Sequence, residues 1–129
     1  MKYIKRATRI TPEVVIDLTE GSIKLSGRSS PENSQAFYAP LMRVLRSNKI
    51  NATQVQMDFA FEYFNTSSSK CLFDIFRQLK KMKVEGRQVH VNWFFEAHDQ
   101  DMLEAGEDYD DIVQLDFNFV EHVKSSDFE

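Results

Sequence analysis

From Gln54 to Tyr63 the chain alternates without a break, with Val55, Met57, Phe59, Phe61 and Tyr63 on one side and Gln54, Gln56, Asp58, Ala60 and Glu62 on the other. A helix cannot gather such a set on one face, because its period is 3.6. A strand can, because successive side chains point to opposite faces. The segment therefore predicts a long strand with one buried side. Leu72, Ile75, Phe76, Leu79 and Met82 then recur at the spacing of an amphipathic helix, which Glu85-Gly86 stops. Val89, Val91, Trp93 and Phe95 alternate again. Strand–helix–strand order implies parallel pairing through a right-handed crossover, with the helix covering the apolar side of the sheet.

The flanking segments extend this unit. Val14, Ile16 and Leu18, then Ile23 and Leu25 after Glu20-Gly21, predict a β-hairpin over 13–27. Ser30-Pro31-Glu32 reads as a helix start with Pro31 in the first turn, and Phe37, Leu41, Val44 and Leu45 carry that helix to about Asn48. Pro40 inside it removes a backbone bond and predicts a kink. Residues 99–113 predict a third helix, with Gly106 as its weak point. Leu115, Phe117 and Phe119 predict a short last strand. The order β-β-α-β-α-β-α-β predicts an α/β fold in one domain spanning 1–129. The sheet is expected to be mixed, with about five strands, an N-terminal β-hairpin and three amphipathic helices.

Composition narrows the function. Eleven Phe against four Gly and three Pro do not suit a disordered chain. The apolar runs are too short to span a bilayer, and no apolar segment follows the charged start as in a secretory signal, so the expectation is a cytoplasmic protein without a membrane partner. The lone Cys71 excludes an internal disulfide. Residues 1–95 carry 15 Lys and Arg against 8 Asp and Glu, whereas residues 96–129 carry one Lys against 12 acids. That division suits an acidic face steering a basic partner, or a solvated helix that only keeps the chain soluble. It does not suit nucleic acid, since the basic residues are scattered and the polarised segment repels phosphates.

No catalytic constellation assembles from the residues. His90, His98 and His122 lie in different elements without metal-ligand spacing. Cys71, read as lying just inside a helix start, adjoins the apolar stripe and suits a buried position better than a reactive one. The carboxylates from Glu96 to Asp111 lack the Asp-x-Asp-x-Asp-Gly pattern of a calcium loop. Asn65-Thr66-Ser67-Ser68-Ser69-Lys70 is different. A helix needs one cap, and this stretch offers five candidate side chains between a strand end and a helix start. The free amides and partial positive charge of a first turn suit a bound or attached phosphate. The amides of Ser68, Ser69 and Lys70 are expected to serve it, and Lys70, four residues after Thr66, to pair with it. Helix capping alone is the competing reading.

The layout resembles the STAS fold of anti-sigma-factor antagonists, in which a phosphorylatable serine occupies the same turn; Asn65 and Ser68 stand here for that family's Asp and Gly. The stretches Gly27 to Ser34, Glu62 to Lys70 and Asp101 to Tyr109 together resemble the SiaC family of regulatory phosphoproteins, from about residue 5 to residue 123. That resemblance implies a bacterial partner-switching protein without catalysis or cofactor. A dedicated kinase would phosphorylate Thr66, and a metal-dependent serine/threonine phosphatase would reverse it. The unphosphorylated form would bind an effector, in the family a diguanylate cyclase, which links the switch to cyclic-di-GMP signalling and biofilm formation. Asn65, Ser67, Ser68, Ser69 and Lys70 would surround the phosphosite, and Glu32, Asn33, Glu104, Glu107 and Asp108 would meet partners. Two rival readings are a STAS-like module holding a small ligand and a metal-dependent enzyme built on 96–111.

Overall fold

The computed structural model describes residues 2–47, 50 and 53–122. Among these, the order is β1 Lys2–Lys5, β2 Glu13–Asp17, β3 Ser22–Ser29, α1 Ser34–Arg46, β4 Gln54–Phe64, α2 Thr66–Val84, β5 Gln88–Glu96, α3 Gln100–Val113 and β6 Asn118–His122. The strands form one six-stranded sheet in sequence order. β1, β2 and β3 pair antiparallel, and β3, β4, β5 and β6 pair parallel. The mixed α/β class, the opening hairpin and the three helices agree with the sequence reading; the sheet has six strands where about five were expected.

The apolar side of the central strands carries the core. Val55, Met57, Phe59, Phe61, Val89, Val91 and Trp93 are buried beneath Leu72, Ile75, Phe76 and Leu79 of α2. Phe76 lies 4.8 Å from Phe59 and 4.9 Å from both Tyr109 and Phe117, centroid to centroid. The opposite face of the sheet is polar. There Asp58 accepts from Asn92 at 2.8 Å, Asn92 accepts from Asn118 at 3.0 Å, and His90 meets Gln54 at 2.8 Å. His90 is thus a satisfied surface side chain.

The differences from the sequence reading have local causes. β1 was missed because its four residues are all exposed, so no apolar period marks it; it is a strand by pairing with β2. α1 begins at Ser34, with the Asn33 side chain accepting from the Ala36 amide at 3.0 Å, so Pro31 precedes the helix instead of entering it. The expected end at Asn48 lies outside the described residues. Leu115 and Phe117 are buried but not in a strand, and β6 starts only at Asn118. Gln114 and Asp116 take left-handed φ values of 54° and 56°, while both carboxylate oxygens of Asp110 accept the amides of Leu115 and Phe117. The period-two pattern there is a plug held by α3.

At the far end of β4 the alternation reverses. Gly27 pairs with Phe61 but Arg28 pairs with Tyr63, so Glu62 is an extra residue on the β4 side. A bulge of this kind moves every following side chain to the other face. Tyr63, expected inside, is therefore 44% exposed and stacks under the Arg28 guanidinium at 4.4 Å. Phe64 takes the inward position against Phe61, Trp93 and Tyr109. Gly27 sits at this step with φ +109°, which side chains rarely adopt.

Candidate functional site

The bulge delivers the chain to Asn65, the cap of α2. Its side-chain oxygen accepts from the Ser68 amide at 2.8 Å, its carbonyl accepts from the Ser69 amide at 2.9 Å, and its own amide donates to the Ser29 carbonyl at 2.9 Å. The amides of Ser68 and Ser69, expected to be free for a phosphate, are thus engaged. Among the described residues, Thr66 and Ser67 have the first-turn amides left without a partner. The helix begins at Thr66, so Cys71 lies in the second turn and not at the start. It is buried, and burial together with nearby Asp74 raises its thiol above the usual value.

The hydroxyls of this stretch have different fates. Ser68 is completely buried; its oxygen lies 2.8 Å from Ser29 and it donates to the Ser29 carbonyl at 3.2 Å. The Tyr38 hydroxyl lies 2.6 Å from Ser29, and burial holds its pKa well above the usual phenol value. Ser67 donates to the Asn65 side-chain oxygen at 3.2 Å and lies 2.7 Å from Ser34, which itself lies 3.2 Å from Ser68. Each of these hydroxyls has one hydrogen and two lone pairs, so the three serines form a shared network in which Ser67 is engaged with Ser34 whichever of them donates. Ser69 lies 2.7 Å from the Tyr109 hydroxyl, which donates to the Ser69 carbonyl at 2.9 Å.

Thr66 stands apart. It is exposed, and its hydroxyl is the one in this row without a hydrogen bond among the described residues. Lys70 is exposed as well. Three segments distant in sequence meet here. Ser29 and Ser34 come from the first, Asn65 to Ser69 from the second and Tyr109 from the third, and these are the stretches that carry the family resemblance. Periodicity gave no sign that Ser29, Ser34, Tyr38 and Tyr109 belong to this corner, because an isolated Ser or Tyr carries no period; the motif stretches hold the first two and Tyr109 but not Tyr38.

Glu32 and Asn33 are exposed just before α1, with Asn33 serving as its cap. Glu104, Glu107 and Asp108 are exposed on α3, none of them in an ion pair among the described residues. Asp108 borders a groove of about 680 Å³ between α2 and α3, whose lining mixes Phe64, Phe73, Ala105 and Ile112 with polar side chains such as Ser69, Lys70 and Asp74. Among the described residues no three His, Cys, Asp or Glu side chains come together as metal ligands, and no helix is long and apolar enough to cross a membrane.

A mixed sheet with its helices packed on one face, and a hydroxyl-rich helix start at the end of its central strand, defines a small α/β protein. The chain belongs to the SiaC family of regulatory phosphoproteins, whose family model matches residues 5–122. It is similar to an uncharacterised protein of Pseudomonas aeruginosa (strain UCBPP-PA14), 27% identical over 116 residues, which are 89% of this chain and 92% of that one. Two solved structures from Pseudomonas aeruginosa share the fold. One is the crystal structure of the diguanylate cyclase SiaD in complex with its activator SiaC, with a TM-score of 0.85 and 24% identity over 93% of this chain and 99% of the matched one. The other is apo-SiaC, with a TM-score of 0.80 and 23% identity over 95% and 99%.

Proposed function

We propose that this protein is a non-catalytic switch of a bacterial partner-switching system, acting in the cytoplasm, and that its switch is the phosphorylation state of Thr66. The observation that carries the reading is the exposed Thr66 hydroxyl, which has no hydrogen bond among the described residues, in a row whose other hydroxyls are engaged. A kinase can reach it without unfolding anything, and a metal-dependent serine/threonine phosphatase can reach the product. The open amides of Thr66 and Ser67, with the positive end of α2, then favour the added charge of about −1.5 to −2. The domain is therefore expected to stay folded in both states.

The unphosphorylated chain binds an effector in this reading. A diguanylate cyclase is the first candidate, because a similar fold is seen in complex with SiaD. The groove between α2 and α3, with Phe64, Phe73, Ala105 and Ile112 in its lining, Asp108 at its border and Glu104 and Glu107 exposed on the same helix, suits a partner segment with an apolar anchor and basic neighbours. Glu32 and Asn33 lie on the approach to the same corner. A phosphate at Thr66 leaves a doubly charged group to be desolvated beneath a partner that covers the start of α2. A coupling of about 1–3 kcal/mol would change affinity roughly 5–150-fold.

Intact mass and site mapping on protein from its native host test the assignment. One phosphate on Thr66 is expected, with none in Thr66→Ala, which should stay in its effector-binding form. Phosphate mainly on Ser67 or Ser68 in the wild type, or a full equivalent on the Ala variant, would overturn it. Thr66→Glu is a weaker mimic, since one carboxylate has about half a phosphate's charge and none of its geometry.

A further inference from the structure

Ser67 poses a problem that the reading above leaves open. It is exposed, as is its neighbour Thr66, and sits on the same first turn, so exposure alone gives a kinase two adjacent targets. The difference between them is in bonding. The Ser67 hydroxyl lies 2.7 Å from that of Ser34 and within 3.2 Å of the Asn65 side-chain oxygen, so it is engaged whichever of the two serines donates. Ser34 is itself 3% exposed, set at the start of α1, and its oxygen also lies 3.2 Å from the fully buried Ser68. A deeply held side chain thus fixes an exposed one.

We infer that Ser34 is a positioning residue that directs phosphorylation to Thr66 by holding the Ser67 hydroxyl. The inference rests on the assignment of the switch to Thr66. Transfer from ATP forms a bond between a side-chain oxygen and the γ-phosphorus and breaks the bond from that phosphorus to ADP. The hydroxyl proton passes to a base of the kinase. The attacking oxygen must offer a lone pair and release its proton. The Thr66 hydroxyl has no bond to exchange among the described residues, whereas Ser67 must turn from the rotamer that its contacts with Ser34 and Asn65 hold before its proton can pass to the kinase base. Each such bond contributes modestly, so losing the Ser34 contact should change the Ser67 share about five- to tenfold.

The test is phosphosite mapping of the full chain, expressed in its native host as wild type, Ser34→Ala, Ser68→Ala and Thr66→Ala. The wild type should carry phosphate on Thr66 with little on Ser67. Ser34→Ala should raise the Ser67 share about five- to tenfold. Ser68→Ala disturbs the same buried corner but leaves the Ser34–Ser67–Asn65 contacts in place, so its phosphate should stay on Thr66. An unchanged pattern in Ser34→Ala, or equal scrambling in Ser68→Ala, overturns the inference and leaves Thr66 as the switch. If Ser34→Ala does not accumulate as folded protein, Thr66→Ala decides: no phosphate on Ser67 supports the latch, a partial share there removes the latch and leaves Thr66 as the switch, and a full equivalent defeats both. A wild type phosphorylated elsewhere than Thr66, or not at all, defeats both this inference and the reading beneath it.

Discussion

At the scale of residues, the corner around Asn65 shows how five polar side chains in a row come to differ. Each engaged hydroxyl finds its partner on another element: Ser67 on α1, Ser68 on β3 and Ser69 on α3. Tyr38 and Tyr109 close this network from two sides, and burial raises the pKa of both phenols. The sign of the consequence follows from linkage. A group whose folded pKa lies above its unfolded value of about 10 contributes stability in full below that pH and loses it as pH rises. Thermal midpoints measured from pH 8 to 11 should therefore fall on the alkaline side, and Tyr38→Phe should flatten that fall. An equally steep decline in Tyr38→Phe would place its cause elsewhere.

At the scale of elements, Gly106 reverses its meaning. In the sequence it is a weakness in an otherwise helical pattern. In the structure α3 runs through it because β5 presses Trp93 against that helix, and an added Cβ would lie 2.6 Å from the indole ring. The indole N–H donates to the Met102 carbonyl at 2.9 Å, so the ring has little freedom to withdraw. Helix propensity favours Ala by about 1 kcal/mol, but overpacking costs about 1–3 kcal/mol or more. Gly106→Ala should accordingly destabilise in urea, and a stabilised variant would show that the helix can shift off the ring. Ile75→Ala on α2, fully buried against β4 and β5, should cost about 2–5 kcal/mol by the same measurement.

At the scale of the molecule, charge and apolar surface meet at α3. Glu104, Glu107 and Asp108 form no ion pair among the described residues, and the α2–α3 groove with its exposed Ile112 lies beside them. Charges of this kind act mainly on diffusional encounter and are screened beyond about 10 Å at 0.1 M salt. Reversing the three to Lys should slow effector association at low ionic strength, with little difference between variant and wild type at high salt. Equal association rates at both ionic strengths would leave the segment as a solvated helix.

The hairpin, the two alternating strands β4 and β5 and the helical stripe of α2 were legible because a period is a local property of the chain. The family motifs were legible for a related reason, since each is a short contiguous stretch. The sequence by itself therefore determined the α/β class, the faces buried in the core and the position of the hydroxyl-rich turn. β1 escaped because an exposed edge strand has no apolar period, and Leu115 and Phe117 misled because left-handed residues can imitate alternation. The tertiary structure decided which hydroxyl is left without a bond among the described residues. That choice depends on contacts between residues 33 to 40 positions apart, Ser34 with Ser67 and Tyr109 with Ser69. It depends also on one extra residue in β4 that turns Tyr63 out and Phe64 in. No local pattern encodes either, because each exists only once the three helices have packed on one side of the sheet.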